Sequence, residues 1–151
     1  MRRASIEADV TFYADPDNEK SDSVDMHIGE DSAFHDMYGY YAQGVNIEVA
    51  HLPAKWRSRI VVYSSDATEG ARGHCLEAHD LVVSKLVAGR AKDVEFASAL
   101  LLAGLVSPRL LVSRAAELEV PAEIGRVTKW VAGWVAKHAA GKPDQTTSHT
   151  S

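Results

Sequence analysis

The apolar positions of this chain change period once, near Glu77: before it they alternate in short runs, and after it they recur every three or four residues. Ile6, Ala8, Val10 and Phe12 alternate with Glu7, Asp9, Thr11 and Tyr13, which predicts a half-buried strand with an acidic outer face. Asp15-Pro16-Asp17-Asn18 is turn chemistry and ends it, because proline presets one dihedral and Asp and Asn bond to nearby backbone. From Glu19 to Gly39 the pattern is weaker: Val24, Ile28, Phe34 and Met37 read as a short helix, a break at Gly29-Glu30-Asp31 and an irregular segment. Val45, Ile47 and Val49 alternate again with Glu48 on the opposite face, which predicts another strand. The β-branched run Ile60-Val61-Val62-Tyr63 reads as an inner strand, Asp66 to Gly73 as a polar loop, and His74-Cys75-Leu76 as a short strand.

Beyond Glu77 the period is helical. Leu81, Val82, Lys85, Leu86 and Val87 share a face, so Lys85 stands on or beside the buried side of a helix that Gly89 interrupts. A second helix starts among Arg90, Lys92 and Asp93, with Asp93 near its positive dipole end, and runs through Phe96 and Leu101 to Gly104. Ser107-Pro108 restarts the chain with an N-cap and a first-turn proline, for a helix reaching about Leu118. Pro121 opens the last helix, with Ile124, Val127, Trp130, Val131, Trp134 and Val135 on one stripe, ending near Gly141. Strands first and helices second predict an α+β domain: a small mixed β-sheet in the N-terminal half packed against a C-terminal helical bundle. Residues 1–141 read as one domain, with a sheet half to 76 and a helical half from 77, and the polar tail 142–151 reads as disordered.

Composition changes this picture little, but charge narrows the partners. The chain has 151 residues, 46% hydrophobic and 25% charged, an ordinary globular composition. Its formal net charge of -5 argues against holding nucleic acid by bulk charge, so an RNA partner needs a local basic patch. The single cysteine, Cys75, excludes an internal disulfide and a cysteine-rich zinc site, which fits a reducing cytoplasm. There is no apolar run of membrane-spanning length, so a cytoplasmic protein without a membrane partner is expected.

The candidate chemistry is acidic at one end and cationic at the helix junction. In a strand, Glu7 and Asp9 point the same way about 7 Å apart, and both can converge on one divalent cation. Glu48, on the polar face of its expected strand, is the candidate third carboxylate, although an exposed strand glutamate gives the same pattern. Lys85 can meet a phosphate as a point charge, Arg90 and Lys92 a phosphate or an acidic partner, and Asp93 can orient Arg90 or Lys85. A snorkelling lysine above a solvated charged turn would look the same. The seven histidines contain no His-x-x-x-His pair, Cys75 in a short strand reads as core, and no nucleophile elbow, Walker loop or dinucleotide fingerprint is present.

The sequence from Asp80-Leu81 through Lys85-Leu86, Ala88, Arg90 and Lys92-Asp93 resembles the helical motif of nucleotidyltransferase-like proteins related to the AbiEii-type toxins of toxin-antitoxin systems. Arg2-Arg3-Ala4-Ser5 followed by Glu7-x-Asp9 resembles the family's metal-binding strand, and Gly29 to Val45 resembles a loop and strand of the same family, so the likeness covers Arg2 to about Pro108. The resemblance implies nucleotidyl transfer from a nucleoside triphosphate with Mg2+. Glu7 and Asp9 would be metal ligands, Glu48 would join them as a catalytic residue, and Lys85, Arg90 and Lys92 would bind nucleotide or phosphate. It also implies an RNA or protein acceptor, and a cognate antitoxin or a second copy as partner. Two departures accompany it. Glutamate stands at position 7 where the family's usual form is aspartate, and the chain begins too late for the glycine-serine loop expected upstream. A misplaced gene start, a partner that supplies the loop, or an inactive fold relative serving as a protein-interaction module would each explain the second departure.

Overall fold

The computed structural model of the protein describes residues 6–139. The fold is α+β, and its contacts divide into two compact units, residues 1–50 and 51–151. The division falls at Ala50–His51, well before the change of period at Glu77. The expected disordered tail from Lys142 and the run Arg2 to Ser5 lie outside the described residues.

The first unit is built on a parallel strand pair, β1 (Glu7–Val10) and β2 (Tyr41–Gly44), with Glu7 opposite Tyr41 and Asp9 opposite Gln43. Between them run α1 (Glu19–Ile28) and α2 (Ala33–Tyr38), the latter a helix where an irregular segment is expected from the sequence. Asp15 starts α1 by accepting the Lys20 amide at 3.0 Å and the Ser21 amide and hydroxyl at 2.9 and 2.7 Å. Ser32 caps α2 at the His35 amide, and Gly39, at φ 73°, ends it. α1 lies close against β2 because Gly44 has no side chain: its amide bonds to Asp25 Oδ1 at 2.6 Å and its Cα faces the backbone of Ser21.

Two strand expectations fail in this unit. On β1 the alternation is not the expected one, since Ile6 and Ala8 are exposed while Glu7 is half-buried. The strand stops at Val10, so Phe12 falls outside it. The run Val45 to Val49 does not extend as a strand: Asn46 accepts the Glu48 amide on its own side chain at 2.8 Å and turns Ile47–Val49 into a 3-10 helix.

The second unit holds the hydrophobic core. A 3-10 turn (Trp56–Arg59) leads into an antiparallel ribbon of β3 (Val61–Tyr63) and β4 (Gly73–Cys75), followed by α3 (Ala78–Ala88), α4 (Ala91–Leu102), α5 (Pro108–Ala115) and α6 (Pro121–Ala139). Val82, Val83, Leu86, Ala97, Leu111 and Val127 are among the side chains that close the core. Two long polar contacts tie it together: Arg126 Nη1 caps the Val87 carbonyl at 2.8 Å, and Trp134 Nε1 donates to Ser98 Oγ at 3.0 Å.

Five expectations are corrected here. β3 is not an inner strand, because every residue of the two-stranded ribbon is exposed, and Cys75 is accordingly exposed and not core. α5 ends at Ala115, short of Leu118. On α6, Ile124, Trp130 and Trp134 pack on the core as expected, but Val135 turns to solvent. The sheet is not one mixed sheet but two separate pairs, one parallel and one antiparallel.

Candidate functional site

The junction of α3 and α4 gathers most of the cationic candidates. Gly89, at φ 67°, ends α3 with its amide on the Lys85 carbonyl at 2.9 Å, and the chain re-enters a helix within two residues. Asp93, in the first turn of α4, closes back on Arg90. It accepts the Arg90 backbone amide at 3.2 Å, Nε at 2.7 Å and Nη2 at 3.2 Å. The asymmetry is large: the Asp93 side chain is 2% exposed and the Arg90 side chain 56%. Burial alone would push the Asp93 carboxyl up, but the Arg90 hydrogen bonds and charge, helped by the charge of Lys85, outweigh it and hold the carboxyl below its ordinary range. Lys85 is half-buried on α3 and Lys92 exposed on α4. Chemically this is a guanidinium fixed in orientation by a buried carboxylate, with the Lys85 charge acting on the same carboxylate, an arrangement suited to an oxyanion.

A second ionic cluster lies one helix earlier and was not assigned from the sequence. Asp80, fully buried in the first turn of α3, takes a two-pronged bond from Arg59, Nε to Oδ2 at 2.7 Å and Nη2 to Oδ1 at 2.9 Å. Arg59 also donates to Glu117 Oε2 at 2.9 Å, and Arg114 Nε stands 3.5 Å from Asp80 Oδ1. Asp80 holds the Arg59 guanidinium far above its ordinary value, with Glu117 adding to the effect against burial. Burial would raise the Glu117 carboxyl, but its bonds from Arg59 and from the Lys55 amide keep it low. No local pattern signals this cluster, because Arg59 and Glu117 are far apart in the chain. The signal available was Asp80 itself, an acid at the head of an apolar helix.

His79 forms a third arrangement, with Glu77 and Ser107. Its Nδ1 meets Glu77 Oε1 at 2.7 Å, and its Nε2 accepts the Ser107 backbone amide at 2.9 Å. Accepting an amide requires a lone pair on Nε2, so the ring is the neutral Nδ1–H tautomer. Glu77, His79 and Ser107 therefore resemble a nucleophile triad in residue types only. The ring nitrogen that would act as base is occupied, and Ser107 Oγ is turned to cap the Leu110 amide at 3.5 Å.

In the first unit, Glu7 and Asp9 sit two residues apart on β1, Glu7 half-buried and Asp9 exposed. Glu48 lies beyond the end of β2 on the 3-10 turn, not on a neighbouring strand. Among the described residues no three His, Cys, Asp or Glu side chains are grouped to hold a metal ion, so Glu7, Asp9 and Glu48 do not form such a triad. The two-carboxylate pair remains a hard-oxygen donor set. That suits Mg2+, which commonly takes one or two carboxylates and completes its shell with water and substrate phosphate. Among the described residues no helix is long and apolar enough to cross a membrane.

Residues 15–134 match a protein family described as a nucleotidyltransferase of unknown function (DUF6036). The matched stretch contains Glu48, Lys85, Arg90, Lys92 and Asp93 and begins after Glu7 and Asp9. No curated protein matches the chain, and no solved structure does.

Proposed function

The chain belongs to this nucleotidyltransferase family, and we propose that it binds a nucleoside triphosphate and transfers a nucleotidyl group to an RNA or protein acceptor. The observation that carries the reading is the α3–α4 junction inside the matched stretch, where buried Asp93 holds Arg90 by two side-chain bonds beside Lys85. In this reading Arg90, Lys85 and Lys92 hold the phosphates, and Asp93 positions Arg90 without touching substrate. Glu7 and Asp9 of the first unit would hold Mg2+, with Glu48 outside the ligand set. A toxin-antitoxin role rests on the AbiEii-like motif, and a cytoplasmic setting on the single cysteine, Cys75, and the lack of a membrane-length apolar run.

The test is calorimetric titration of each nucleoside triphosphate with Mg2+. Arg90→Ala and Lys85→Gln are expected to weaken binding at least about tenfold, the scale of one lost charge-assisted contact. Glu7→Gln and Asp9→Asn are expected to abolish its Mg2+ dependence. Triphosphate binding that none of the four substitutions changes, or no binding at all, would sink the proposal.

A second reading, a protein-interaction module, is favoured by an apolar groove of about 420 Å3 between α5 and α6, lined by Pro108, Val112, Val131, Ala132 and Val135. It lies off the Trp130 and Trp134 side of α6, which is packed on the core. Light scattering decides it. A dimer dissociated by Val135→Asp supports the module, and a strict monomer without a co-purifying partner removes its basis.

A further inference from the structure

The first unit carries an aromatic face that the proposed transfer does not use. The rings of Phe34, Tyr38 and Tyr40 touch one another around the end of α2, with centroids 4.7 Å apart for Phe34–Tyr38, 5.3 Å for Phe34–Tyr40 and 6.1 Å for Tyr38–Tyr40. They enclose no core. Tyr38 is 56% exposed, Tyr40 51% and the adjacent Met37 73%. Gly39 makes the grouping possible, because its left-handed φ of 73° reverses the chain between the two tyrosines. Two exposed tyrosine rings packed on a half-buried phenylalanine ring are an unusual surface for a chain with no reason to bind there.

Charge identifies what fits it. Between residues 6 and 50 the chain has eleven aspartates and glutamates and one cation, Lys20. That lysine is turned to the Ala14 carbonyl at 2.7 Å and lies over the Phe12 ring. Residues 51–139 carry the opposite balance, twelve Lys and Arg against nine acids. The acids Glu30, Asp31 and Asp36 belong to the same turn and helix as Phe34 and Tyr38, and all three are exposed. Aromatic faces bordered by carboxylates attract guanidinium and ammonium groups, by the ring quadrupole and by charge together. A nucleic acid would stack on the rings equally well, but its phosphates would meet this acidic field.

We propose that Phe34, Met37, Tyr38 and Tyr40 form a docking surface for an arginine- or lysine-bearing segment of a partner protein. The rings supply the contact area and the cation–π faces, and the surrounding carboxylates supply steering and the salt dependence.

The experiment titrates the full chain with a short oligoarginine peptide, a neutral glycine-serine peptide of equal length and a short single-stranded oligonucleotide, at low and high salt. Binding of oligoarginine alone is expected, weakening as salt rises. Tyr38→Ala and Tyr40→Ala are each expected to weaken it roughly three- to fivefold, the scale of one exposed cation–π contact, while Tyr38→Phe and Tyr40→Phe retain it. Glu30→Gln with Asp36→Asn should flatten the salt dependence. Equal binding by the alanine variants would reduce the effect to diffuse charge and overturn the proposal. Preferential binding of the oligonucleotide, or no binding of oligoarginine, would overturn it as well. Because these variants leave Lys85 and Arg90 intact, triphosphate binding should be unchanged, so the two proposals fail independently.

Discussion

Asp80 and Asp93 are both buried carboxylates held by an arginine, but the two arginines differ in exposure, and that sets what each pair does. Arg59 is largely covered, so Asp80→Ala would leave a buried guanidinium with Glu117 as its main acid. A loss of about 3 kcal/mol or more is expected, read by chemical denaturation. Arg90 faces water, so removing the Asp93 charge costs less in stability and more in orientation. Asp93→Asn should destabilise by about 1–3 kcal/mol, within the range of one lost charged hydrogen bond, and should weaken triphosphate binding through Arg90. Both Asp93 and Glu117 are held below the ordinary carboxylate range, so their stabilisation is complete above the unfolded carboxyl value and is lost as pH falls through the lower folded one. The melting temperature should therefore stay level near neutrality and drop below about pH 4, with a shallower drop in Asp93→Asn. At this scale Lys85, Arg90 and Asp93 were legible because they lie within nine residues of one another. The Arg59–Asp80–Glu117 cluster was not, because its members meet only once the helices pack.

The breaks and restarts between the helices of the second unit followed sequence rules, since caps are local chemistry, whereas α2 was expected as an irregular segment. Gly89, Gly104 and Ser107-Pro108 stand where the chain breaks and restarts. Gly89→Ala would place a side chain at φ 67° and should cost about 1–2 kcal/mol in a melting experiment. Gly44→Ala should cost more, because its added carbon meets the Ser21 backbone with no room to move. The strands followed the sequence poorly. Alternation at Val45, Ile47 and Val49 matches a strand, yet the Asn46 side chain takes the Glu48 amide and a turn results. The Ile60 to Tyr63 run is strand-forming by composition, but it found a single partner, β4, and therefore stayed exposed. Whether a β-branched run is inner or outer depends on neighbours contributed by distant parts of the chain.

Across the whole molecule, burial is uneven. The second unit contains the twelve-residue apolar core, whereas Tyr41 and Ala42 are the buried apolar residues described in the first. Hydrogen exchange should accordingly show the amides of α3 and α6 as the most protected and those of α1 and α2 as markedly faster; equal protection in both units would contradict this account. Charge follows the same division, acidic before His51 and mildly basic after it, and could be counted from the residues without any coordinates. The sequence by itself determined the α+β class, the helical second half, its caps and the cationic junction, because period and capping act over one or two turns. The tertiary structure alone decided that the strands form two separate pairs, that Cys75 is exposed, that Arg59 neutralises Asp80, and that two exposed tyrosine rings meet a half-buried Phe34. Each of those depends on which distant surfaces come together, and no local run of residues encodes that.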